Sequence, residues 1–361
     1  SNIQLRMQLC TGSGSGNRLY SSAIMKALVC TKPGVLENLQ IDAPIHLPGN
    51  TILKIKRIGV CGTDLHAFEG SQPFFDYPRI LGHELAAEIA ETDAPGFEIG
   101  QAVTIIPYFN CGHCIACRND KPNCCVELRV CGVHRDGGMV EYLSVPSYSL
   151  IHNQGLELDE LALVEPLAIG AHGIRRAALR EGEFVLVVGA GPIGLGIMEF
   201  ARIAGGKVIA VDINEERLEF CRSRLGVEWL INAGSEDINA ELREITRGDM
   251  PTVVIDATGS LKAIQSAFRF MAHGGRYVLV GLQKEEIGFS HPEFHKREAT
   301  LMSSRNATRS DFQWVMRALQ EKWIDPKIFI THRVAFPQVK DEFHKWLNPG
   351  HGVIKAMIEM N

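Results

Sequence analysis

At 361 residues, with 45% apolar and 22% charged side chains, the chain is long enough for two domains that each bury a core. A formal charge of -5 leaves no electrostatic footprint for nucleic acid or an anionic membrane surface. No apolar run approaches the roughly 20 residues needed to span a bilayer. Small molecules are therefore the expected partners, with neither nucleic acid nor membrane among them.

The first 24 residues, SNIQLRMQLCTGSGSGNRLYSSAI, lack the compact apolar core of a secretory signal and carry a flexible Gly/Ser stretch. Residues 1–24 read as a tag and disordered leader, with Met25 as the start of the fold. Without such a signal the ten cysteines read as reduced thiols or metal ligands, which predicts a cytoplasmic protein.

From Lys26 to about His152 the pattern is short β-rich pieces, MKALVC, TILKIKRIGV, ELAAEIAET, QAVTIIPY and MVEYLSVP. Proline and glycine punctuate the gaps, which predicts an irregular, barrel-like antiparallel domain. From about Gly182 the character changes to continuous apolar runs, FVLVVGAG, KVIAVD, TVVIDATG and RYVLVG. Between them, Ile193 to Ala204, Glu215 to Leu225, Glu236 to Arg247 and Leu261 to Ala272 have helical length and spacing. Strands buried on both faces and alternating with helices imply a doubly wound parallel sheet, an α/β fold. After Leu301 come a helix-like stretch, Asp311 to Glu321, and a strand-like end, HGVIKAMIEM.

The first parallel strand runs into Gly189-Ala-Gly191-Pro192-Ile193-Gly194, which fits G-x-G-x-x-G at a strand-to-helix turn. Gly189 permits the turn, Gly191 lets a pyrophosphate approach the backbone, and Gly194 allows close helix packing. Eighteen residues beyond Gly194, Asp212 stands where a carboxylate accepts hydrogen bonds from the adenosine ribose. Its charge repels a 2'-phosphate and favours NAD over NADP, although Arg217 close by is a group that welcomes such a phosphate.

CGHCIACRNDKPNCC, Cys111 to Cys125, offers Cys111, Cys114 and Cys117, then Cys125, as four thiolates for a closed tetrahedral Zn2+ site with no position left for substrate. Cys124 competes with Cys125, and spacing alone does not decide between them. His113 reads as a solvent-facing loop residue. A more scattered set, Cys61, His83, Glu84 and Glu165, has the thiolate, imidazole and carboxylates that hold Zn2+ with a coordination position open. Spacing by itself does not assemble these four, and each has an ordinary structural explanation.

The joint occurrence, in this order, of CGTDLH, GHE, the four-cysteine loop, GGMVEY, EPL and GAGPIG resembles the zinc-dependent medium-chain dehydrogenase/reductase family. The resemblance covers essentially the whole chain from Met25 and lies nearest the polyol and sugar-acid dehydrogenases. It implies a GroES-like β-barrel catalytic domain, residues 25–155 and 302–361, around a Rossmann domain, residues 156–301, with the site in the cleft between them. It implies Cys61, His83 and Glu165 as ligands of a catalytic zinc and Glu84 as an alternating ligand. Thr63 and His66 match the family's proton relay, and Asp64 the position of a carboxylate that orients a zinc-bound imidazole.

Glu165 stands where classical alcohol dehydrogenases have a cysteine and polyol dehydrogenases a glutamate. Arg305 resembles a substrate-side arginine of the polyol enzymes, and His134 is expected to line the same pocket. The implied activity is hydride transfer between a secondary alcohol of a polyol, sugar or sugar acid and NAD, with an L-threonine, short-diol or alcohol dehydrogenase as the alternative. The implied assembly is a homodimer or homotetramer. Two readings from other classes, a nucleic-acid-binding zinc ribbon and a non-catalytic NAD-binding regulator, are disfavoured by the acidic charge and by the intact set of Cys61, Thr63, His66, His83 and Glu165.

Overall fold

The computed structural model describes residues 23–72 and 75–360. Of the expected leader, residues 1–22 lie outside the described residues. Ile24 already opens a strand, Ile24–Lys32, which pairs antiparallel with Val35–Asp42.

A six-stranded, wholly parallel sheet forms the half that carries the glycine-rich turn. Its order is Trp229–Asn232, Lys207–Asp212, Phe184–Val188, Val253–Asp256, Arg276–Leu279 and Thr300–Ser303. This is the doubly wound order, which opens a crevice at the carboxyl ends of the inner strands where the connections reverse direction. Val185, Leu186, Val187, Val254 and Ile255 are fully buried because helices cover both faces, and such strands read as continuous apolar runs.

Four strands were legible in this way. The two that were not, Trp229–Asn232 and Thr300–Ser303, are the outer strands; Thr300, Leu301 and Ser303 are exposed, so neither strand needs a run of large apolar residues. Thr300–Ser303 also spans the expected domain boundary at 301/302 and pairs along its whole length with Arg276–Leu279.

The helix after the glycine turn is Pro192–Ile203, one residue ahead of expectation because proline at the first helical position is pre-set for a helix. Glu215–Leu225 falls as expected, Ile238–Ile245 is shorter, and Leu261–Ala267 stops five residues early. Asp237 caps Ile238–Ile245 by accepting from the amides of Asn239 and Ala240, which draws the helix start inward.

The other half is built on a second sheet, in the order Leu150–His152, Ala102–Ile105, Glu84–Thr92, Asn50–Val60, Lys355–Glu359, Ile330–Ala335, with Tyr142–Pro146 also paired to Asn50–Val60. The chain end thus returns to the first part of the sequence. Lys355–Glu359 runs antiparallel to Asn50–Val60 with Met357 opposite Gly59. The helix Val164–Ala177 packs on Pro192–Ile203 and on Arg309–Gln320. A Cβ on its Gly170 would lie 2.6 Å from the carbonyl carbon of Gly196, so the two backbones approach to a distance only glycine allows. That crossing ties Glu165, at the start of one helix, to the turn that starts the other.

Candidate active site

Cys61 follows the strand Asn50–Val60 as the N-cap of helix Gly62–Glu69. His83 and Glu84 enter from the start of Glu84–Thr92. The donor atoms of Cys61, His83 and Glu84 all lie within 4.8 Å of one another. His83 and Glu84 are buried, and His83 Nδ1 has no hydrogen-bond partner.

Glu165 stands beside this trio rather than within it; its Oε1 accepts the hydroxyl proton of Tyr108. Burial, followed by the charge of Glu165, holds the Tyr108 hydroxyl well above its ordinary pKa and keeps it a donor. Burial also raises the carboxyl of Glu165, against the pull of His83.

Asp64 departs from expectation. Its Oδ2 accepts from the Cys61 amide at 3.0 Å and its Oδ1 from the Gly82 amide at 3.0 Å, while His83 Nδ1 is 3.7 Å away. It braces the backbone of one donor and of the residue before the other, beyond hydrogen-bond reach of the imidazole. Glu84 departs too. Both its oxygens accept from Lys355 Nζ, at 2.6 and 2.7 Å, and the ammonium also reaches Val60 O at 3.1 Å. Burial works against the charge of Lys355, but Glu84, the Cys61 thiolate and Glu165 outweigh it and hold the ammonium above its ordinary pKa. A Cβ at Gly59 would lie 2.1 Å from Glu84 Oε2, so the carboxylate occupies space that only glycine leaves.

Tyr108 and Lys355 were missed from sequence. The available signal for Lys355 was a lone lysine inside the apolar strand VIKAMIEM. The donor set fits a divalent cation: a thiol, an imidazole whose buried Nδ1 has no partner and a buried carboxylate lie within 4.8 Å of one another, with a second buried carboxylate beside them, the donor types that hold zinc.

Thr63 and His66 lie three residues apart on Gly62–Glu69, on one helical face. Thr63 is half-buried, two residues after Cys61; the His66 ring is exposed, with Ser71 Oγ 3.2 Å and Glu69 Oε2 3.7 Å from Nδ1.

At the glycine turn Gly189 has φ 103, and a Cβ on Gly194 would lie 1.8 Å from Gly189 O. Above Gly191 the space is open apart from Arg217 Nη1 at 3.9 Å, a cradle that fits a dinucleotide pyrophosphate at a helix N-terminus. Asp212 accepts from Ala190 N at 2.7 Å and from Asn214 N at 2.8 Å, so it fixes the turn. Exchanging Asp212 for Ala is expected to raise the KM for NAD about tenfold, the cost of a hydrogen bond to a charged group, and to narrow the preference over NADP. Asp212→Asn, which keeps an acceptor for the turn, separates the charge effect from a collapse of the turn. Unaltered kinetics with both cofactors would remove Asp212 from the ribose site.

Cys111, Cys114, Cys117 and Cys125 converge within 4.8 Å, and Cys124 is exposed and outside the set. Spacing left that choice open; the 3-10 turn Pro122–Cys124 makes it by turning adjacent side chains apart. Backbone amides of Cys117 and Val126 bring the Cys114 thiol down to about 6. His113 and Glu127 also approach Cys111 but are exposed. Cys111→Ser is expected to remove about one zinc equivalent per chain, measured by atomic emission, whereas Cys124→Ser removes none. Zinc content unchanged by Cys111→Ser would contradict the four-thiolate site.

Asn123, on the same turn, was also missed. Its Nδ2 donates to Arg305 O at 2.9 Å and lies 3.3 Å from His172 Nε2, while His172 Nδ1 is 2.8 Å from Asp311 Oδ2. The cysteine lobe is thereby stitched to the segment that carries Arg305 and to the helix Val164–Ala177 that carries Glu165. His134 lies in the turn between Val130 and Gly138, half-buried, with Nδ1 accepting from Val130 N at 3.1 Å.

A barrel carrying a thiol, imidazole and carboxylate cluster, joined to a doubly wound sheet with a phosphate cradle, defines a metal-dependent dehydrogenase. Comparison with known proteins agrees. The alcohol dehydrogenase GroES-like domain matches residues 47–154 and the zinc-binding dehydrogenase domain residues 192–321. L-galactonate-5-dehydrogenase of Escherichia coli K12 is 43% identical over 336 residues, covering 92% of this chain and 98% of that protein. Sorbitol dehydrogenase of Halalkalibacterium halodurans is 30% identical, covering 89% and 95%. The crystal structure of a short chain alcohol dehydrogenase from E. coli CFT073, complexed with NADH, superposes with a TM-score of 0.87 at 30% identity and covers 93% and 99%. The chain belongs to the zinc-dependent medium-chain dehydrogenase/reductase family and is an oxidoreductase that uses zinc and a nicotinamide dinucleotide.

Proposed function

We propose that this enzyme exchanges a hydride between NAD and a secondary alcohol of a sugar acid, with a hexonate of the L-galactonate kind as the first candidate. The observation that carries the reading is the cluster of half-buried Cys61 with buried His83 and Glu84, with Glu165 beside it on the helix that docks against the helix of the glycine turn. The relative named for L-galactonate supports the choice of a sugar acid.

Cys61, His83 and Glu165 would hold the catalytic zinc in this reading, and Glu84, now paired with Lys355, would be the alternating ligand. The bound ion supplies a Lewis acid at the substrate oxygen. Tyr108 keeps the Glu165 carboxylate oriented. Thr63 would take the hydroxyl proton while its own hydroxyl proton passes to the cofactor ribose and on to His66, whose exposed ring releases one to solvent. Gly189, Gly191, Pro192, Ile193 and Gly194 seat the pyrophosphate, Asp212 and Arg217 the adenosine ribose, and Arg305 and His134 the far end of the substrate.

Cys111, Cys114, Cys117 and Cys125 hold a second, closed zinc. We also infer a homodimer or homotetramer, because Thr300–Ser303 ends the parallel sheet with Leu301 exposed, and a cytoplasmic setting suited to the reduced cysteines; sedimentation tests the first. A panel of hexonates, hexitols, L-threonine and short diols, followed by NADH absorbance, tests the function. A kcat/KM highest for a hexonate supports it, and one highest for L-threonine or a short diol overturns it.

A further inference from the structure

Two side chains at the rim of the four-cysteine lobe are not among its four thiols. Cys111 Sγ, a ring nitrogen of His113 and a carboxylate oxygen of Glu127 lie within 4.8 Å of one another. Thiolate, imidazole and carboxylate are the donor types that bind Zn2+. Cys111 therefore belongs to two sets, an inner one with Cys114, Cys117 and Cys125 and an outer one with His113 and Glu127. The inner set is sealed by buried Cys125, whereas His113 and Glu127 are exposed and Cys111 between the sets is half-buried.

The backbone builds this arrangement. Gly112 has φ 80, a conformation suited to glycine, and the chain doubles back so that His113 Nδ1 comes 3.7 Å from Cys111 Sγ. The Arg118 guanidinium donates to His113 O and fixes that turn. The amides of Cys111 and Glu127 both donate to Cys125 Sγ, at 3.3 and 3.4 Å. The two stretches that carry the outer donors are thus pinned to one buried sulfur. Cys124, the exposed thiol of the lobe, is in neither set.

Four thiolates carry more negative charge than one divalent ion cancels, and the Glu127 carboxylate adds to it. A metal-bound thiolate also keeps lone pairs with which to meet a second ion. The inner set, once filled, offers no open position to an incoming donor, so exchange of its metal needs donors at the rim. A hydrated ion from solvent meets the exposed imidazole and carboxylate before it meets Cys125.

We propose that Cys111, His113 and Glu127 form an outer divalent-cation site that shares the Cys111 sulfur with the closed zinc and is the port through which zinc enters and leaves the lobe. Inward transfer is ligand exchange without electron transfer. Bonds to His113 and Glu127 break as bonds to Cys114, Cys117 and Cys125 form, Cys111 stays bound, and the thiol protons go to solvent. The inference rests on the closed-zinc reading above, and the test keeps the two apart.

Zinc release from the holoenzyme into an excess of a chromophoric chelator, and zinc uptake after the chelator is removed, are followed for wild type, His113→Ala, Glu127→Gln and Cys124→Ser. The phase that belongs to the lobe is the one missing in Cys111→Ser. His113→Ala and Glu127→Gln are each expected to slow release and uptake by the same factor, about tenfold, because a port lowers the barrier in both directions; the zinc bound at equilibrium stays the same, and Cys124→Ser changes neither rate. Faster release with unaltered uptake overturns the port, since the two side chains then only strengthen the closed site. Unaltered rates, or slowing by Cys124→Ser alone, overturn it too. A release trace in Cys111→Ser that lacks no phase overturns the closed-zinc reading and the inference with it.

Discussion

Cys61→Ala is expected to lower turnover by about a thousandfold or more while NAD still binds. The thiolate is one of three donors within 4.8 Å, and loss of a catalytic metal removes several kcal/mol of transition-state stabilisation, at about 1.4 kcal/mol per tenfold in rate. The fold tolerates the change, because Asp64 braces the Cys61 amide rather than its sulfur and alanine keeps that amide. The glycine turn is formed by a different part of the chain. Steady-state kinetics, NAD titration by calorimetry and zinc content read the three consequences separately. Turnover at the wild-type level would remove Cys61 from the active site.

Lys355→Met is expected to destabilise the protein by about 3–5 kcal/mol, the range for removing one partner of a buried ion pair. Glu84 is fully buried and both its oxygens depend on Lys355, so the lone carboxylate has neither water nor a counter-charge. The midpoint of urea unfolding falls accordingly. Glu84→Gln combined with Lys355→Met costs less than the sum of the single changes, because the second change removes the charge the first one stranded. Additive costs would mean that the two groups are not coupled. Lys355→Arg keeps the charge, and stability near wild type would separate electrostatics from packing.

Local chemistry was legible. The glycine turn and Asp212, the helix Glu215–Leu225 and the four inner strands each follow from short-range rules: a glycine where the backbone must turn, apolar spacing where a face is buried. The four-cysteine lobe was legible to within one residue, the choice between Cys124 and Cys125, which a single 3-10 turn made. The outer strands were not, because a strand with one exposed face or edge carries no continuous apolar signal. Asp64 was misread as an imidazole partner because its position beside a donor does not show which backbone amides it will meet.

The sequence by itself determined which residue types were present for two metal sites and a dinucleotide cradle, because contiguous motifs encode chemistry over a few residues. The tertiary structure decided which of them meet. Lys355 pairs with Glu84 across 271 residues, Glu165 accepts from Tyr108 across 57, and Asn123 reaches Arg305 across 182. Those pairings follow from the return of the chain end to the first barrel and from the close helix crossing at Gly170, and neither leaves a periodicity in the sequence, since burial of a charged group is set by what the rest of the chain packs around it.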